Sequence, residues 1–495
     1  MLHYFVILSR FFDYHKRKTS KDGNKIYWRC AMRDVCNATC VTSGNLQAEI
    51  VVFKAGQHTH YSRSAEIGAR KVVANIRKRA RDNPNAPPNN IIQEELTHVQ
   101  DEEVLVSLPE RQGLLRNINR QQNSQRPALP MSLADAEILT PYDKTLTDEQ
   151  FLRFDSGLHD PDRILIFACD NDLEVLSRSS MLLCDGTFKT VPTIFQQLYT
   201  LHGVIMGHVF PLVFCLCVRK TEQTYRTIFE ALTDLCDTLG SPLQPQVILL
   251  DFESAAINAA TRTFPEAVVR CYLFHLCQAI RRRVIAEGLK QAYHSRKDAT
   301  VRNEVREIMS LAFIPLEDLH ATFQELYENV SDDVKPVASY FKKNYISGTA
   351  ARGRRRATPP LFSPNKWNVY NVTLHGEQRT TNTIEGWHNK FQRMVVTHHA
   401  SLWKFLDSIW KEQRDNEILI LQLLAGHIRI RHPIKKSYRR NMRRLEGIVA
   451  RYAFYKGDNM VDRYLHAIGH CLKVFPENRN VQDDQDDENP DDRAV

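Results

Sequence analysis

No stretch of this sequence approaches the roughly 18 consecutive apolar residues that a membrane-spanning helix needs, so no spanning segment is expected. The first residues, MLHYFVILSRFF, form a short apolar patch without a basic leader or an A-x-A-type cleavage site. Asp13-Tyr14-His15-Lys16 follows at once, so the patch does not read as a signal peptide. Cysteine is sparse: 11 in 495 residues, several inside apolar runs, which excludes the dense disulfide framework of a small secreted domain. Together these absences predict an intracellular protein in a reducing compartment. What is present, 43% apolar and 25% charged residues, is a globular composition, and the length calls for about three domains.

The formal net charge of +8 understates the basic character. Residues 476–495 hold Asp483, Asp484, Asp486, Asp487, Glu488, Asp491 and Asp492 and read as an acidic, disordered tail. Without it the body is more basic. That excess serves either solubility or a polyanionic partner, and clustering decides between them.

Residues 1–61 alternate in short runs with polar turns and read as β-rich. They contain Cys30, Cys36, Cys40, His58 and His60. Thiolate and imidazole suit tetrahedral zinc, which substitutes for a core too small to fold alone. The spacing misses the common C-x2-C and H-x3-5-H patterns, so buried cysteines with surface histidines stand level with zinc on spacing alone. Tyr27-Trp28-Arg29-Cys30, Cys36-Asn37-Ala38-Thr39 and His58-Thr59-His60 resemble the FLYWCH zinc finger. The resemblance implies Zn2+ held by Cys30, Cys36, His58 and His60, with Cys40 open as the ligand in place of Cys36. It also implies DNA or protein binding. Residues 62–141 then read as a helical connector with a basic helix ending at Asn83-Pro84 and linker-like segments at 85–90 and 121–124.

Residues 142–275 carry the clearest pattern. Met181-Leu182-Leu183-Cys184 leads to Asp185, and Val247-Ile248-Leu249-Leu250 leads to Asp251. Either acid alone reads as a strand-terminating turn cap. Side by side, two such strands set their carboxylates one strand spacing apart, where like charges need a counter-ion, and oxygen donors suit Mg2+. Between them, 197–206 and 209–218 form a hairpin expected to turn at Gly207-His208, and 224–239 has helical spacing. Three antiparallel strands followed by α-β-α-β fit a ribonuclease H-like α/β fold, and equally other mixed sheets. Residues 276–379 read as a helical insertion. Glu385, in Asn382-x-x-Glu385 at a helix start, has a capping-box explanation of its own.

Asp185-Gly186-Thr187-Phe188, Leu250-Asp251-Phe252-Glu253, Phe274-His275-Leu276-Cys277-Gln278 and Thr381-Asn382-Thr383-Ile384-Glu385-Gly386-Trp387-His388-Asn389 together resemble the MULE (Mutator-like element) transposase family over about 140–410. FLYWCH fingers frequently precede such domains. The resemblance implies a ribonuclease H-like DDE core (142–275 plus 380–410) interrupted by the helical insertion, with a basic helical region at 411–475. It implies Asp185, Asp251 and Glu385 as a catalytic triad holding two Mg2+ or Mn2+ ions about 3.5–4 Å apart, bridged by Asp185. Glu253 is not part of that triad. The family's Cys-x2-His falls on Tyr272 and His275, with Cys271 one residue early, so a metal role for that pair is not carried over; His275 serves equally to cap the next helix. The implied activity is DNA strand cleavage and transfer at terminal inverted repeats, in the nucleus, by an oligomer on double-stranded DNA. Arg281, Arg282, Arg283, Arg354, Arg355, Arg356, Lys435, Lys436, Arg439 and Arg440 would hold phosphates. The alternative is a domesticated, catalytically silent DNA-binding regulator.

Overall fold

Short alternating runs near the N-terminus pair into an antiparallel meander in the computed structural model, which describes residues 6–9, 12–44, 52–61, 64–84, 86–124, 126–351, 356–376, 382–395, 400–427 and 436–472. The chain folds as two compact units, Met1–Ala128 and Leu129–Val495. The meander comprises β1 (Val6–Ser9), β2 (Phe12–Thr19), β3 (Lys25–Cys30), β4 (Thr39–Ser43) and β5 (Val52–Ala55), in that order. Among the described residues its main apolar cluster is Tyr14, Ile26, Trp28 and Cys40, with Trp28 Nε1 donating to Thr42 Oγ1 at 2.8 Å.

The rest of this unit is helical: Ser64–Asp82, Pro88–Leu96, Glu102–Val106 and Arg111–Asn123. Ile76, Ala80, Ile91, Ile92, Leu114 and Ile118 form the core of the bundle. Both segments expected as linkers are instead partly helical. Pro88 opens a helix, where its missing N–H costs nothing. Gln122 is buried at the end of the helix Arg111–Asn123, donating to the carbonyls of Asn83 (3.3 Å) and Ala86 (2.8 Å). A polar run looked like a loop; one amide closing a neighbouring turn made it structure.

The second unit is built on a seven-stranded mixed sheet: β6 (Leu152–Asp155), β7 (Ile164–Phe167), β8 (Met181–Thr187), β9 (Gln197–Ile205), β10 (His208–Cys217), β11 (Val247–Leu250) and β12 (Val268–Cys271). The order is β12-β11-β8-β9-β10-β7-β6. β8, β9 and β10 are antiparallel neighbours, whereas β11 runs parallel to both β8 and β12. The β9–β10 turn is Met206-Gly207, with φ of 48° and 79°, not Gly207-His208. Two positive φ values make it a type I′ turn, whose twist suits a hairpin, and Met206 takes the conformation an Asn usually occupies.

Both faces of this sheet are covered. The helices Glu222–Thr238, Ser254–Thr263 and Leu273–Ala286 contribute Tyr225, Phe229, Ala256, Ala260, Leu276 and Ile280 to the larger core. The helices Asn382–Val395 and Leu402–Leu424 lay Trp387, Phe391, Trp403 and Trp410 against Leu165, Phe167, Phe214 and Leu216. The helices Tyr452–Gly457 and Val461–Cys471 pack on the segment 300–330, and Lys436–Val449 packs on Val461–Cys471 and on Tyr370–Leu374. There Tyr464 Oη donates to the Phe313 carbonyl at 2.6 Å, and Lys456 reaches Asp318 at 2.7 Å. The inserted helices and 436–472 therefore share one core.

Candidate active site

β8 and β11 pair in register, Leu249 opposite Leu183, and two further residues along each chain stand Asp251 and Asp185. Alternation fixes the face. Leu182, Cys184 and Leu250 point into the larger core, while Leu183 and Leu249 join Tyr272 and Ile384 on the opposite side. Asp185, two residues after Leu183, takes that opposite side as well. Asp185 is not a strand-terminating cap: β8 continues to Thr187 along β9, with Asp185 opposite Thr200. It is 6% exposed, a position a carboxylate occupies only with compensation.

Two histidines supply it. β12 ends at Cys271, and the helix Leu273–Ala286 starts almost at once, bringing His275 Nε2 to 2.9 Å from Asp251 Oδ1. His275 is thus no helix cap. Tyr272 is fully buried, its hydroxyl donating to the Cys184 carbonyl at 3.2 Å. Cys271 is a buried strand residue whose thiol burial pushes up to about 12. From the other side, His388 Nε2 lies 2.8 Å from Asp185 Oδ2.

His388 is set by the helix Asn382–Val395. Trp387 Nε1 donates to Glu412 Oε1 at 2.9 Å and Lys390 Nζ to Glu412 Oε2 at 2.8 Å, with Glu412 1% exposed. Trp387 stacks on Phe391 (5.1 Å, 19°) and meets His202 edge-on at 5.2 Å. Position 385 sits on this helix one turn before His388; the Glu385 side chain, with Thr380, Thr381 and any capping bond, lies outside the described residues.

The electrostatics follow. Burial opposes charge on Asp185, but His388, then His275, hold it well below the carboxylate range. Asp251 is held above that range by burial and by the Asp185 charge, against the pull of His275. Two carboxylates sharing one site separate in this way. Donor atoms of Asp185, Asp251 and His275 lie within 4.8 Å of one another, a set with room and charge for a divalent cation. Glu253 is elsewhere employed, accepting from the Tyr225 hydroxyl at 2.8 Å.

In the first unit, Cys30, Cys36, His58 and His60 place their donor atoms within 4.8 Å of one another. The separations are 3.2 Å (Cys30 Sγ to His60 Nε2), 3.4 Å (Cys36 Sγ to His58 Nδ1) and 3.2 Å (His58 Nδ1 to His60 Nε2). Ligands about 2.0–2.3 Å from a tetrahedral zinc are spaced this way. The ring nitrogens turned away from the cluster meet Tyr14 Oη (2.7 Å from His58 Nε2) and the Tyr61 carbonyl (2.8 Å from His60 Nδ1), the outer partners that fix a ligating imidazole. Burial works against the Cys36 thiolate, yet the Thr59 and Ala38 amides hold the thiol at about 7. Cys40 lies in the apolar cluster, opposite Trp28 in the sheet, its thiol pushed up by burial.

Of the basic residues, Arg354, Arg355 and Lys435 lie outside the described residues. Arg356, Lys436, Arg439 and Arg440 are exposed, the last three on the helix Lys436–Val449 beside exposed Arg443 and Arg444. Arg281, Arg282 and Arg283 are half-buried, and Arg283 pairs with Glu287 and lies over the Tyr340 ring. The sequence reading missed His388 as a partner of Asp185. Its only signal was its place three residues after Glu385. Tyr14, the partner of His58, left no signal at all.

The MULE transposase domain family matches residues 181–279, a span that includes Asp185, Asp251 and His275, and the FLYWCH zinc finger domain family matches residues 6–60. No match is found among curated proteins. The strand transfer complex of the Drosophila P element transposase aligns over 76% of this chain and 94% of that chain, at 11% identity and a TM-score of 0.28, too weak a likeness to argue from. The chain carries, in N-to-C order, a FLYWCH zinc finger domain and a MULE transposase domain.

Proposed function

We propose that this chain is a DDE-type DNA transposase that cleaves strands at terminal inverted repeats and joins them to target DNA. The observation that carries the reading is the parallel, in-register pairing of β8 with β11, beside which Asp185 and Asp251 share one site. The order β12-β11-β8-β9-β10, three antiparallel strands and then two parallel ones, supports a ribonuclease H-like core at 142–275 plus 380–410, with 276–379 inserted. The donor set fits Mg2+ or Mn2+, which Asp185, Asp251 and Glu385 would hold. Such ions, when bound, activate the attacking oxygen and stabilise the leaving 3′-oxygen.

The protein's own part is positioning. β8 and β11 hold the two aspartates, and Glu412 holds the helix that carries position 385. Exposed Lys436, Arg439, Arg440 and Arg356, with Arg281 to Arg283, Arg354, Arg355 and Lys435, bind the phosphate backbone. Zn2+ in the finger, on Cys30, Cys36, His58 and His60, orders a second DNA-contacting surface. The protein acts in the nucleus, as a homo-oligomer bridging two DNA ends.

The test is nicking of inverted-repeat DNA by the full chain with Mg2+ or Mn2+, alongside Asp185→Asn. Cleavage abolished in the variant supports the reading. Binding without cleavage by the unaltered chain sinks the enzyme and leaves the silent DNA-binding regulator.

A further inference from the structure

Each aspartate of the site is met by one imidazole nitrogen. His275 Nε2 lies 2.9 Å from Asp251 Oδ1 and within the 4.8 Å donor cluster that includes Asp185. His388 Nε2 lies 2.8 Å from Asp185 Oδ2. Separations near 3 Å are those of adjacent donors around one six-coordinate ion with bonds of about 2.1 Å. Both rings stand on helices anchored away from the site, His275 on Leu273–Ala286 and His388 on the helix tied down through Glu412. Positions 385 and 388 also stand three apart on one helix, the spacing at which helices present a carboxylate and an imidazole to paired metals.

We propose that His275 and His388 are metal ligands of this site, one beside each aspartate, so that it takes Mn2+ in preference to Mg2+. This rests on the two-metal reading above. Mg2+ favours an all-oxygen shell and keeps its waters, whereas imidazole suits transition ions. The competing role is that of resident cations, satisfying the aspartates until a metal displaces them. Ligands strengthen metal binding; resident cations compete with it.

The experiment uses the full chain without DNA, its finger loaded with zinc beforehand so that His58 and His60 are occupied. Mn2+ binding is read from the loss of the free-ion EPR signal, with Mg2+ as competitor. Pulsed EPR of the bound ion then reports nitrogen hyperfine coupling. The expected result is nitrogen coupling in the unaltered chain and Mn2+ binding about tenfold or more tighter than Mg2+. His275→Gln and His388→Gln, which keep a donor to the aspartate, each lose about tenfold in Mn2+ affinity, with much smaller changes for Mg2+. Absence of nitrogen coupling, or Mn2+ affinity equal or higher in both variants, overturns the proposal. The coupling is read in the unaltered chain, so it decides even where a variant fails to fold. Asp185→Asn separates the two readings: if it too retains full Mn2+ binding, the aspartates themselves are not the metal site.

Discussion

His388 Nε2 stands 2.8 Å from Asp185 Oδ2 across 203 residues of sequence. This pairing joins the helix Asn382–Val395 to the strand β8, and the helix is held by a residue bonded to its neighbouring side chains rather than to His388 itself. Glu412, buried on the next helix, takes the Trp387 and Lys390 donors together. Glu412→Ala leaves both without that acceptor, at a cost of about 1–3 kcal/mol. A misplacement of the helix by about 1 Å lowers cleavage on the order of 10²-fold although no acid of the site is altered. Glu412→Gln retains an acceptor for Trp387 and recovers most of the rate. Melting curves and single-turnover cleavage of the two variants check this; equal rates in both would remove Glu412 from the positioning role.

Two acids follow Leu250 in quick succession, and the structure separates their duties. Asp251 faces Asp185 and His275, whereas Glu253 accepts from Tyr225 behind the sheet. Asp251→Asn is expected to cut cleavage by on the order of 10²–10³-fold with little change in melting temperature. Glu253→Gln keeps an acceptor for the Tyr225 hydroxyl and leaves the rate within about threefold. The reverse ranking in one cleavage assay would remove Asp251 from the catalytic role proposed for it.

In the finger, Cys36 and Cys40 are both buried, but only Cys36 meets the histidines. Cys36→Ser is expected to lower zinc content, measured by mass spectrometry of the metal, and to unfold the meander. Cys40→Ala leaves one zinc bound and costs about 1–2 kcal/mol of core packing. Tyr14→Phe removes the hydroxyl on His58 Nε2 and weakens zinc about tenfold in a chelator competition.

Asp172 provides a pH signature of its own. It is 1% exposed, and burial pushes its carboxyl up to about 7, with Cys169 opposing and the Glu417 charge assisting. The unfolded value is about 3.9, so between roughly pH 4 and 7 the folded chain holds a proton that the unfolded chain releases. This group's contribution is therefore fully present below about pH 4 and is lost as pH rises to 7, at up to about 1.4 kcal/mol per unit. Above 7 it is flat. Asp172→Asn removes the slope. Denaturant unfolding at several pH values should show the variant gaining on the parent from pH 4 to 7 and holding its lead beyond; parallel curves would refute the assignment.

The aspartates were legible because an apolar run delivering one carboxylate is chemically unusual, and two such runs imply a shared site. Strand alternation then gave their common face. His388 was not legible as a partner of Asp185, because the two meet only where a helix crosses a strand 203 residues away, and its helical spacing with Ile384, Trp387 and Phe391 names no partner. Cys36 lies in the loop between β3 and β4, against His58, whereas Cys40 lies on β4 in the apolar cluster, a difference that spacing alone does not resolve. The Met206-Gly207 turn escaped because a hydrophobic residue at positive φ is unusual. The joining of 436–472 to the inserted helices rests on long-range pairs such as Tyr464 with Phe313, which no local period announces.

The helix Lys436–Val449 offers the last prediction. Leu445 and Val449 are buried, while Lys436, Arg439, Arg440, Arg443 and Arg444 are exposed along it. A merely solvated helix of this kind tolerates neutralisation with no effect beyond solubility. A phosphate-binding helix does not, because each neutralised phosphate releases condensed counterions and steepens the salt dependence of binding. Changing Arg439 and Arg440 to Gln leaves folding intact, since neither is buried. For a DNA-binding helix, the slope of log K against log salt becomes shallower by about 0.9 for each phosphate no longer neutralised, close to two in all. The weakening is nearly the same for unrelated sequences as for inverted repeats, because phosphates carry no sequence. Fluorescence anisotropy at several salt concentrations measures both quantities. An unchanged slope returns this helix to the ordinary surface.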